Sequence, residues 1–171
     1  MASSVAITVL INRLFVFIFL FVSLMVLATN KVTTSYLTVD DNPSKVTFKN
    51  SYAYRFLLSV AVIGCAYTLL QIPFAALSIS NRTEISQFVI FPDLVFTPLF
   101  AMAVGAGFGL TVDVKHFLDK LFASADLQDD PELKDVDKFF DHVYVSAGFL
   151  LLATVFMVVM TILSVHAVSR K

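Results

Sequence analysis

The chain has 171 residues, of which 58% are hydrophobic and only 15% charged, with a formal net charge of −1. Soluble domains run at about 45–50% apolar and about 25% charged, so an ordinary soluble globule is excluded, and a mean hydropathy of +0.84 agrees. Near-zero net charge selects no polyanionic partner, and no nucleic-acid binding is expected. A single cysteine, Cys65, rules out an intrachain disulfide and any paired-cysteine redox or zinc site. Within its apolar block Cys65 reads as a small packing residue, with acylation or thiol chemistry as the alternative.

The apolar residues fall in four blocks, at about 5–28, 56–77, 88–111 and 143–168. A hydrocarbon core about 30 Å thick needs about 20 apolar residues of α-helix, and every block is long enough. None shows the polar face of a soluble core helix. The expected fold is therefore an all-α membrane protein, one domain over 1–171: a bundle of four transmembrane helices with an additional surface or extension helix in the third connection. Block one is not expected to be a cleaved signal peptide. Its apolar stretch after Arg13 is too long, and no basic segment precedes it.

After block one, Thr33, Thr34, Tyr36, Thr38 and Val39 favour extended structure, and Asp40-Asp41-Asn42-Pro43-Ser44 reads as a turn, so a short hairpin is expected. The connection at 78–87 is short and makes blocks two and three antiparallel neighbours. The third connection, 112–142, holds nine of the thirteen acidic residues and four lysines. In it Val114, Phe117, Leu118, Leu121 and Phe122 recur at helical spacing around Lys115, Asp119 and Lys120, which predicts an amphipathic helix at the membrane surface. Asp130 and Pro131 then form a helix start. Leu133, Val136, Phe139, Phe140 and Val143 carry the period onward, so this helix is expected to run unbroken into block four and project beyond the bilayer. The acids Asp126, Asp129, Asp130, Glu132, Asp135 and Asp137 form either a solvated face or a docking surface. His116 and His142 are not at metal-ligand spacing, and no metal is expected.

Two charges lie inside the blocks. Arg13 and Asp93 enter from the same side at similar depth, about 8–12 Å at 1.5 Å per residue. A lone charge in hydrocarbon costs about 2.5–3.5 kcal/mol on insertion scales. The expectation is an Arg13–Asp93 salt bridge that fixes block one against block three. The alternatives are an ion path, for which few other polar residues are present, and snorkelling without pairing. Ala101, Gly105 and Gly109 form a small-residue seam for close helix packing, within the chain or between subunits. Pro73, Pro92 and Pro98 are expected to kink their helices or tighten a terminal turn. Phe15, Phe17, Phe19 and Phe21 cover all sides of block one and read as lipid-facing bulk, with a lipid or sterol site as the alternative. No catalytic motif appears, and neither catalytic residues nor a cofactor are expected.

Several segments together resemble the plant Casparian strip membrane domain-like (CASP-like) family, distant relatives of the four-span MARVEL proteins. They are an early arginine in span one followed by Ser23-Leu24-Met25-Val26-Leu27-Ala28-Thr29-Asn30-Lys31, then Phe48-Lys49-Asn50-Ser51-Tyr52-Ala53-Tyr54-Arg55-Phe56-Leu57 leading into Cys65-Ala66-Tyr67-Thr68-Leu69-Leu70-Gln71, and an early aspartate in span three. The resemblance covers spans one to three, and span four by hydropathy. It maps the family's paired intramembrane charges onto Arg13 and Asp93. It implies cytosolic termini at the plasma membrane, whereas a count of lysines and arginines by the positive-inside rule puts the termini outside. It also implies homo-oligomeric or mixed platforms in the lipid that recruit cell-wall-modifying enzymes. The second large loop here lacks cysteine and tryptophan and the first loop lacks the Casparian strip signature, so a less specialised member is implied. The sequence thus points to a non-enzymatic scaffold. An auxiliary subunit of a larger channel, transporter or synthase is the second reading and a small channel the third.

Overall fold

The computed structural model describes residues 2–34, 44–47, 51–80, 85–125 and 131–169, with side chains over 7–31, 51–74, 91–120 and 134–166. In lipid every backbone N–H and C=O must be met within the chain, so long apolar segments become helices. Four result: α1 (Ala2–Thr29), α2 (Tyr52–Ser80), α3 (Ile85–Ala125) and α4 (Pro131–Ser169). Each is long and apolar enough to cross a membrane. Between α1 and α2, β1 (Lys31–Thr34) pairs antiparallel with β2 (Ser44–Thr47), Lys31 opposite Thr47 and Thr34 opposite Ser44. The strand takes in Thr33 and Thr34, while Tyr36, Thr38, Val39 and the turn at 40–43 lie outside the described residues.

The helices form a ring, α1 beside α2, α2 beside α3, α3 beside α4 and α4 beside α1. Helices α1 and α3 run parallel and face each other across the diagonal. Hydrogen bonds fix the α1–α4 alignment at three depths. Asn12 Nδ2 donates to the Phe156 carbonyl at 3.2 Å, Ser146 Oγ to the Ser23 carbonyl at 2.9 Å, and Asn30 Nδ2 to the Phe139 carbonyl at 2.7 Å. As α1 proceeds from 12 to 30 its partners fall from 156 to 139, which is the register of an antiparallel pair. On the opposite side the Tyr54 and Thr111 hydroxyls share a hydrogen bond of 3.1 Å between α2 and α3.

The interior is filled by Val16, Leu20, Leu57, Phe100, Leu150 and Met157, all fully buried. Phe19, expected to face lipid, lies against Phe149 and Phe156 of α4 at centroid distances of 6.2 and 5.5 Å. Phe15 and Phe21 remain about half exposed to the lipid side, at 46% and 47%. Phe15 also stacks on Phe156, at 6.0 Å, so part of the phenylalanine ladder is a helix–helix contact.

The third connection departs from expectation. The amphipathic stretch that starts at 112 is not a separate helix along the surface but the continuation of α3, which is helical without a break from Ile85 to Ala125. Its apolar stripe has a better partner than the lipid surface. The first turns of α4 lie alongside, and Leu118, Val136, Phe139 and Phe140 bury one another between the two helices. Helix α4 does run from Pro131 through the fourth block. With 41 and 39 residues, α3 and α4 are about 60 Å long, twice the hydrocarbon thickness, so they project as a two-helix extension. Pro73 lies within α2, and Pro92 and Pro98 within α3; both helices continue through their prolines.

Close approach is provided by two inward glycines. A Cβ on Gly64 would lie 2.8 Å from Phe100 Cζ and 3.1 Å from Leu20 Cδ1, and one on Gly107 would strike Leu57 Cδ1. Gly105 and Gly109 meet nothing within 4 Å. Gly64→Ala is expected to destabilise the bundle by about 1–3 kcal/mol through overpacking, and Gly105→Ala to leave it unchanged, in denaturation from mild detergent followed by circular dichroism. Equal damage from both would mean that α3 is rotated from this orientation.

Candidate functional site

One group of buried polar residues lies towards the end of the bundle where α1 begins. Arg13 comes from α1, Asp93 from α3, and Tyr67 and Gln71 from α2 one helical turn apart. Arg13 Nη2 donates to Asp93 Oδ2 at 2.7 Å, with both side chains wholly buried. The Tyr67 hydroxyl donates to the other carboxylate oxygen, Oδ1. Gln71 Nε2 donates in turn to the Tyr67 oxygen at 3.1 Å. The backbone carbonyl of Asp93 accepts from Thr97 Oγ1 at 2.7 Å. Phe96 stacks on the Tyr67 ring with centroids 4.1 Å apart and fixes its plane.

The sequence placed Arg13 and Asp93 at one depth, and the structure brings them together. It does so across the diagonal: α1 and α3 are not adjacent, and the long arginine side chain reaches over the bundle axis. Each charge meets its opposite, so neither is left bare in hydrocarbon. The arrangement is electrostatic and positional. No group of three metal-ligating side chains occurs among the described residues.

Tyr67 and Gln71 were not anticipated as members of this network. Their signal was present in the sequence: two hydrogen-bonding side chains at i and i+4 in an apolar helix share one face. Ser23 and Ser146, which bond each other at 3.0 Å, carry no such sequence signal, since their meeting depends on the α1–α4 register.

The small-residue seam lies elsewhere than the interior. Ala101, Gly105 and Gly109 all face outward, while Ala103 and Gly107, the residues interleaved with them, are the ones that pack inside. Of the acidic docking candidates, Asp126, Asp129 and Asp130 lie outside the described residues, as does the side chain of Glu132. Asp135 pairs with Lys138 at 2.9 Å within α4. Asp137 lies 3.4 Å from Lys115, and Asp141 lies 2.9 Å from the same ammonium. The extension is thus less of a bare acidic surface than its composition suggested, because Lys115 of α3 is clamped between two aspartates of α4. Asn81-Arg82-Thr83, which has the form of a glycosylation sequon, and Arg170 and Lys171 are also outside the described residues.

The model of the Casparian strip membrane protein domain matches residues 2–156, from the start of α1 well into α4. The chain belongs to this family. Its relatives are plant membrane proteins of the same length class. CASP-like protein 4D1 of Sorghum bicolor is 42% identical over 183 aligned residues, covering 95% of this chain and 91% of the relative. CASP-like protein 4D2 of Arabidopsis thaliana is 34% identical, covering 99% and 94%, and CASP-like protein 4D1 of Ricinus communis is 34% identical, covering 95% and 91%. None of these names denotes a reaction. No solved structure matches the chain. The match extends the likeness into the fourth span, which the sequence had tied to the CASP-like pattern by hydropathy alone.

Removal of one charge strands the other in a medium that cannot solvate it. Asp93→Asn or Arg13→Gln is expected to cost about 3–5 kcal/mol of bundle stability, and the double variant less than the sum of the two. Strict additivity in a double-mutant cycle would show that the charges do not interact. Lys115→Ala, at a partly exposed ion pair, is expected to cost no more than about 1 kcal/mol and less at high salt; a larger loss in the same denaturation assay would make this clamp essential.

Proposed function

We propose that this CASP-like chain is a non-enzymatic scaffold of the plasma membrane, which associates laterally through the outward face of α3 and organises other proteins around it. The observation that carries this reading is the orientation of the small-residue seam. Ala101, Gly105 and Gly109 are exposed on a helix whose opposite face is already packed. Small residues on a lipid-facing surface let a second helix backbone approach closely, and such approach drives association where no hydrophobic effect operates. The Arg13–Asp93 bridge serves in this reading as an internal lock that keeps the bundle rigid while its outside engages others. The family implies cytosolic termini and recruitment of cell-wall-modifying enzymes. Spans of at least 23 residues, about 35 Å of helix, suit the thicker plasma membrane.

A second reading, an auxiliary subunit of a larger membrane complex, is favoured by Phe117. This aromatic is 64% exposed on the projecting extension, among charged residues. A small channel fits poorly, since Leu20, Leu57, Phe100 and Leu150 fill the axis.

Fluorescence energy transfer between labelled copies in phosphatidylcholine liposomes distinguishes these readings. Gly105→Leu combined with Gly109→Leu is expected to weaken association about tenfold, or about 1.4 kcal/mol, with helicity unchanged. A wild-type chain that stays monomeric at every lipid ratio sinks the scaffold reading. Recovery of a larger membrane enzyme that is lost on Phe117→Ser would favour the auxiliary subunit instead.

A further inference from the structure

The guanidinium of Arg13 is only partly used. An arginine facing a carboxylate commonly engages both oxygens with two parallel N–H groups. Here the Tyr67 hydroxyl occupies Oδ1, and the fork holds Asp93 through Nη2 alone. Arg13 Nε and Nη1 are buried and have no hydrogen-bond partner. Between them they carry three N–H groups. One turn along α2 from Tyr67, Gln71 Oε1 is a buried acceptor that also lacks a partner. Unmet donors beside a charge are among the costliest features in a low-dielectric interior.

The chemistry of the missing contact follows from the charges present. Asp93 already balances Arg13, so an anion there would leave net negative charge in hydrocarbon, and a cation would meet the guanidinium. A neutral group remains, one that accepts from Arg13 and can also donate to an acceptor such as Gln71 Oε1. A hydroxyl does both. We infer that the bundle binds a neutral hydroxyl ligand against Arg13 Nε and Nη1, supplied by water or by the hydroxyl of a membrane sterol.

The site lies nearest the outside at the end of the bundle where α1 begins. Gln71 on that side retains 7% exposure, and Asn12 is half-buried there. In the other direction Leu20, Leu57, Phe100 and Leu150 are all fully buried, and Gly64 sits too tightly against Phe100 to admit even a methyl group. The ligand therefore occupies a dead end rather than a path. Nothing in this depends on lateral association, and the two proposals stand or fall separately.

The test uses the full chain with Arg55→Lys, Arg82→Lys and Arg170→Lys, which leaves Arg13 as the sole arginine of the original four. The protein, labelled with 15N-arginine, is placed in phosphatidylcholine bilayers that contain no sterol and examined by water-edited solid-state NMR. Transfer of water magnetisation to the Arg13 Nε–H, with loss of that signal after exchange into D2O, is the expected result and identifies water. Transfer from lipid that arises only when sterol is added to the bilayer supports the same site with a sterol hydroxyl in it. A Nε–H signal that receives no transfer with or without sterol, and persists in D2O, overturns the inference.

Discussion

An arginine placed in hydrocarbon must have its counter-charge beside it, and this requirement organises the bundle. Neither Arg13 nor Asp93 is tolerable alone at its depth, where insertion of either costs about 2.5–3.5 kcal/mol. Because their helices lie on the diagonal of the ring, the bridge constrains all four helices. It sets α1 and α3 at one height, and it passes through the space that α2 and α4 enclose. Tyr67 draws α2 into the same contact, so three helices share one carboxylate. A pair of adjacent helices could slide along each other and keep a salt bridge through side-chain flexibility. A carboxylate held from two directions across the axis permits much less sliding.

The remaining helix is tied to α1 by a different device. Asn12, Ser146 and Asn30 each donate to a backbone carbonyl of the facing helix. In lipid there is no water to compete for these groups, and each such contact favours one register over its neighbours. Phe19, lodged between Phe149 and Phe156, adds shape to the same interface. The family to which the chain belongs is thus built here around a charged layer at one end and a series of neutral polar contacts along one side. The projecting α3–α4 pair continues the same apolar core at the other end.

What was legible in the sequence was what depends on local composition. Four spans could be read from block length alone, and Arg13 and Asp93 stood out because charge is so rare within them. The hairpin after α1 was legible from β-branched residues such as Thr33 and Thr34, which lie in its first strand. The stretch from 112 was misplaced because its stripe of Val114, Phe117 and Leu118 fits a lipid surface and a neighbouring helix equally well. Only the proximity of Val136, Phe139 and Phe140 decides between them. The seam at Ala101, Gly105 and Gly109 was visible, but the face it presents follows from helix rotation, which no residue type encodes. Tyr67 was passed over because a tyrosine in an apolar helix looks like packing until its hydroxyl finds Asp93.

The successive levels filled by Leu20 with Phe100 and by Leu57 have a consequence for the membrane in which the protein sits. At those levels the interior is apolar, like the lipid it displaces. An ion that reached Arg13 and Asp93 from the end where α1 begins would meet an apolar plug beyond them, where its desolvation is not repaid.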